Sequence, residues 1–151
     1  MNGWECKLNG LPDFAIVSGP NGSGKTVFLQ RIRDVERRDG NLVIVLNWDN
    51  FLKFRAGFPE EDSNAGTLLL DFFMLVLEDV EEISIRVGSC VVLVDDTSGL
   101  LKESQMAPIY TKLMELYFMG RVSRAYITRV GPDSFKVRNM IREDNFKRLF
   151  K

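Results

Sequence analysis

One octapeptide constrains this chain more than anything else in it. Gly19-Pro20-Asn21-Gly22-Ser23-Gly24-Lys25-Thr26 follows a short apolar run, Asp13–Ser18, and opens a segment with helix-like spacing. It matches the pattern G-x-x-x-x-G-K-[ST] in full, with a strand before it and a helix after it as that pattern requires. The residue types carry the chemistry. Gly22 and Gly24 lack a Cβ, so the backbone can turn tightly and aim its N–H groups at one point. Those amides and the positive end of the following helix suit the β-phosphate of a nucleotide. Lys25 reaches the β- and γ-phosphate oxygens, and the Thr26 hydroxyl is placed to coordinate Mg²⁺. The expectation is an ATP site built from residues 19–26.

A phosphate loop of this kind needs an acid at the end of a neighbouring buried strand. Val91-Val92-Leu93-Val94-Asp95-Asp96 supplies four apolar residues and then two acids. Asp95 is read as the second Mg²⁺ residue, acting through the metal's water shell. Asp96 falls where many ATPases carry a Glu that polarises the attacking water, one methylene longer than Asp. At the end of the fourth strand, Thr128 or Arg129 could sense the γ-phosphate. Arg121 and Arg124 are candidates for an arginine donated to a neighbouring subunit's site, a contribution worth about 10³–10⁵ in rate in such enzymes. Asp49, in Asn47-Trp48-Asp49-Asn50, could face the γ-phosphate or a metal-bound water, with Trp48 read as packing.

The rest of the chain alternates strand and helix without repeats or low-complexity tracts. Strands are expected at Asp13–Ser18, Leu42–Leu46, Ser89–Asp95 and Arg124–Arg129, with Asn145–Phe150 a possible last one. Helices are expected at Lys25–Arg38, Thr67–Arg86, Ser104–Met119 and Ser134–Arg142. Ser104 is the candidate N-cap of the third, with Pro108 in its first turn. Phe51–Gly66 reads as a loop with at most one helical turn at Phe51–Phe54, and its phenylalanines, with Phe72 and Phe73, as core. Three continuous apolar strands separated by helices indicate a mostly parallel sheet covered on both faces, with ligands beyond the carboxyl ends of the strands. At 151 residues the chain is the size of one domain, 1–151.

Composition excludes several chemistries. There is no His, which removes Ser–His and Cys–His dyads and His-based metal sites. Two cysteines, Cys6 and Cys90, are too few for a disulfide framework, and Cys90 falls in a buried strand and is read as inert. No targeting signal or membrane-length apolar run is present, so a soluble, intracellular (cytoplasmic) protein without a membrane partner is expected. The net charge of −1 hides an asymmetry: Glu60–Glu82 holds eight acids and no base, whereas Arg121–Lys151 holds nine bases and three acids. A basic face suits nucleic acid, and an acidic face on one copy meeting a basic face on the next suits a homo-oligomeric ring.

The order of motifs resembles the HerA–FtsK superfamily, and within it the compact DNA-packaging ATPases of viruses. The resemblance rests on the phosphate loop, the run ending in Asp95-Asp96, then Tyr117-Phe118-Met119-Gly120-Arg121 after the next helix, and the late Val137-Arg138-Asn139-Met140-Ile141-Arg142 with the segment through Phe150. It departs from the family at Val122, where a His is usual, and at Thr128-Arg129, where a Gln is usual. It implies a three-layer α/β, RecA-like P-loop core and a ring-forming ATPase that translocates double-stranded DNA. Two other classes stay open. A small-molecule or nucleotide kinase shares the loop but calls for an Arg-rich lid, and Phe51–Gly66 holds only Arg55. A phage-assembly or secretion ATPase, or a slowly turning scaffold, would share the core. No LSGGQ-like segment marks an ABC protein, and no Asn-Lys-x-Asp marks a GTPase.

Overall fold

The computed structural model describes residues 10–55, 65–96 and 99–140. Five strands form a single sheet: β1 Phe14–Gly19, β2 Val43–Asn47, β3 Cys90–Asp95, β4 Val122–Val130 and β5 Lys136–Asn139. Their order is β2-β3-β4-β1-β5. The first four run parallel, and β5 pairs antiparallel with β1. Among the described residues the helices are α1 Lys25–Arg38, α2 Trp48–Arg55, α3 Ala65–Val87 and α4 Glu103–Phe118.

Alternation along each strand feeds two cores. Phe14, Val92, Val94 and Ile127 point to one face, against Ile109 and Leu113 of α4 and Phe73 and Leu77 of α3. Ala15, Val17, Val91, Leu93 and Tyr126 point to the other, against Phe28, Leu29 and Ile32 of α1. Strands buried on both faces cannot show an apolar–polar alternation, which is why they read as continuous apolar runs. The architecture is α/β with a mostly parallel sheet between helices on both sides. None of the described helices is long and apolar enough to cross a membrane.

Three local expectations are corrected. Ser134–Arg142 was expected to be helical, yet Lys136–Asn139 is a strand. Val137 packs into the α1-side core while Lys136 and Arg138 point the other way, so the segment has a two-residue period. The segment after β2 is helical from Trp48, because the Asn47 side chain accepts the Asn50 N–H at 2.8 Å and starts the turn. Helix α4 begins at Glu103, so Ser104 lies inside it and Pro108 falls in its second turn. The Gln105 side chain instead accepts the Lys102 N–H at 2.9 Å, the return half of a capping box. Cys6, the acids Glu60–Asp62 and the expected strand Asn145–Phe150 lie outside the described residues.

Candidate functional site

The loop after β1 has the backbone its glycines allow. Gly22 and Gly24 sit at φ +81° and +99°, in the left-handed region that favours glycine. Gly19 is confined for a different reason: a Cβ there would lie 2.5 Å from Ser23 Oγ and 3.2 Å from the Phe135 Cα. The Ser23 hydroxyl, turned inward against Gly19, is buried and has no hydrogen-bond partner. An orphaned buried hydroxyl is uncommon and calls for an explanation, and an anion within the loop would give it one. Lys25 is buried, and its Nζ donates to the carbonyls of Gly19 at 2.7 Å and Pro20 at 2.9 Å. An ammonium has three protons, so one remains for a ligand in the loop.

Strand order decides what faces the loop. β4 lies between β1 and β3, so the loop and Asp95 are two strand spacings apart, roughly 9–10 Å. The side chains close that gap. Asp95 accepts a hydrogen bond at 3.2 Å from the Thr128 hydroxyl on the intervening strand, and Thr26 lines the same cavity, with its hydroxyl near enough to hold the Asp95 pKa down. Burial pushes the Asp95 carboxyl above its ordinary pKa, with Asp96 adding to the rise and the two hydroxyls and Lys25 opposing it. A desolvated carboxylate gains most from a nearby cation.

The two sensor candidates separate cleanly. Thr128 is fully buried on the α1 side with Asp95. Arg129, the next residue, points to the opposite face, where it binds the Leu101 carbonyl at 3.1 Å and Glu103 at 2.8 Å. Asp96 has a role that the sequence reading did not assign. Its carboxylate accepts the N–H groups of Leu100 at 3.2 Å and Leu101 at 2.9 Å, while its own N–H donates to Thr128 Oγ1. It thus ties the segment after β3 into position. Gly99 three residues on, whose N–H meets the Asp96 carbonyl, is the turn signal that would have found this.

Arg121 precedes β4 at the start of the parallel strands, where its carbonyl accepts the Cys90 N–H. That is the end opposite Gly19 and Asp95, and its Nε is buried without a partner. Arg124 is committed to ion pairs with Glu36 at 3.1 Å and Asp13 at 3.5 Å. Burial raises the pKa of the Cys90 thiol, which weakens its nucleophilic form.

Beside Asp95 and Thr26 lies a cavity of about 470 Å³. Its floor is Val45 and Leu93, one wall is α1, and Trp48 and Asp49 stand at its head. The sequence reading had named Asp49 and Trp48, but not Leu29, Gln30 and Arg33 of the α1 wall. Their spacing, one face of the helix that the loop opens, was the available signal. Among the described residues no group of three or more His, Cys, Asp or Glu could hold a metal. A metal held by Thr26 and Asp95 therefore needs phosphate and water oxygens as well, which suits Mg²⁺. Neither protein-family models, nor curated proteins, nor solved structures give a match to this chain.

Proposed function

We propose that this chain is a Mg²⁺-dependent P-loop ATPase on a RecA-like core. The observation that carries the reading is that Thr26, in the helix that follows β1, and Asp95, at the end of β3, line one cavity although β4 separates those strands. It brings together two residues 69 positions apart in the sequence, with Asp95 buried, beside a loop whose Asn21, Gly22 and Gly24 are exposed. Residues 19–26 wrap the triphosphate, with Gly22 and Gly24 aiming amides and Lys25 turning its ammonium to the β- and γ-phosphates. Thr26 and Asp95 hold the metal, which supplies charge neutralisation at the phosphates. Thr128 fixes the Asp95 carboxylate, and Asp96 holds the adjoining segment and is the candidate to orient the attacking water.

The wider role, an oligomeric motor that moves double-stranded DNA, rests on the resemblance to packaging ATPases. In that role Arg121 acts on a neighbouring copy's site. The internal pairing of Arg124, Arg129 and Lys136 with acids leaves less basic surface for DNA than the sequence charge implied.

The test is a variant series read by nucleotide binding and phosphate release. Lys25→Ala should abolish ATP binding, and Asp95→Ala should abolish Mg²⁺-dependent hydrolysis. Arg121→Ala should spare binding and lower turnover. Normal hydrolysis by Lys25→Ala would refute the site. Turnover with and without double-stranded DNA, alongside the mass in solution, tests the motor.

A further inference from the structure

Hydrolysis alone does not account for the cavity beside Asp95. A water occupies about 30 Å³ of liquid, and this space is about 470 Å³, within the roughly 300–1,000 Å³ range of small-molecule sites. Its polarity is graded. Asp49 and Asp95 stand at the strand-end head, next to Thr26. Val45 and Leu93 make an apolar floor, and Trp48 offers an indole. The α1 wall runs from Thr26 through Gln30 to Arg33, about 10 Å along the helix. With Asp95 given to the metal, Asp49 is the acid left facing the cavity at that head, while Arg33, paired with Asp34 at 3.1 Å, stands at the far end of the α1 wall.

We propose that this cavity binds a nucleoside whose hydroxyl accepts the γ-phosphate; the inference rests on the MgATP reading of residues 19–26. The accepting sugar hydroxyl faces Asp49, beside the metal held by Thr26 and Asp95, the flat base lies over Val45 and Leu93, and the Gln30 amide meets the base edge. An uncharged, hydroxyl-bearing molecule with a flat body satisfies each wall, whereas a nucleotide acceptor would bring its phosphate against Asp49 at the reacting head. In the transfer, the hydroxyl oxygen forms a bond to the γ-phosphorus. The bond from that phosphorus to the β–γ bridging oxygen breaks, its electron pair leaving on ADP. The hydroxyl proton passes to the Asp49 carboxylate. Water is then the slower acceptor at the same phosphorus.

The experiment uses the full chain with Mg²⁺ and ATP labelled in the γ-phosphate, and adenosine, guanosine, cytidine or uridine in turn. Label should move into the monophosphate of at least one nucleoside. Gln30→Trp, at an exposed position of α1, narrows the cavity and should cut the ratio of labelled nucleotide to labelled phosphate by about tenfold. Asp49→Asn should lower kcat for transfer by about a hundredfold, the scale of general-base loss. ATP bound and hydrolysed with label only in inorganic phosphate, for all four nucleosides, overturns this inference and leaves the ATPase reading standing. Transfer indifferent to Gln30→Trp also overturns it. Failure to bind MgATP sinks both readings.

Discussion

Thr128 carries two hydrogen bonds on one hydroxyl: it accepts the Asp96 N–H at 2.9 Å and donates to Asp95 at 3.2 Å. Thr128→Val keeps the shape and removes both. The Asp96 N–H would then be buried without a partner, at a cost of roughly 1–3 kcal/mol, read by urea unfolding. The same change should lower turnover more than it weakens ATP binding, because it frees the Asp95 carboxylate without touching the loop. Tyr126 offers a pH readout. Its phenol donates to the Pro12 carbonyl at 2.8 Å, and burial pushes its pKa up to about 12. The unfolded phenol ionises near pH 10, so the stability tied to the neutral form is complete below that pH and is lost as pH rises through 12. Wild type should exceed Tyr126→Phe by about 1 kcal/mol at pH 9, and the gap should close by pH 12 in chemical denaturation.

At the level of elements, what was legible depended on how each element pays its backbone polar groups. β1, β2 and β3 announced themselves because burial on both faces demands unbroken apolar runs, and α1 because the loop opens it. Of helix α2 only the turn Phe51–Phe54 was anticipated, because its start depends on the Asn47 side chain, which a reading focused on apolar spacing passes over. Asn47→Ala should cost about 1 kcal/mol in thermal unfolding and enlarge the head of the cavity. β5 was read as a helix because four residues with one apolar side chain carry little periodicity. Its pairing with β1, from Ala15↔Asn139 to Ser18↔Lys136, is a tertiary fact that no local pattern states. The conformation of the loop after β1 was legible at Gly22 and Gly24, since positive φ there favours glycine. The cavity was not, because it forms between α1 and two strands drawn from distant parts of the chain.

Across the whole molecule, the intervening position of β4 sets the distance between the loop and Asp95, and Thr128 makes that distance useful. The chain's charge asymmetry is partly neutralised within the chain: Arg124 reaches Asp13 and Glu36, and Arg129 reaches Glu103. Gly19 connects the largest number of these parts. Its carbonyl accepts both the Lys25 ammonium and, at 3.1 Å, the Gly131 N–H. Gly19→Ala would press a methyl against Ser23 and the Phe135 backbone, so it should lower stability by about 1–3 kcal/mol and weaken ATP binding together, measured by melting and by titration. Were Lys25 to turn toward a triphosphate, as proposed, that carbonyl would keep only its bond to the β4–β5 connection. Occupancy of the loop should then register at the sheet's outer rim, as slower amide exchange in residues 131–139 when a nucleotide is added.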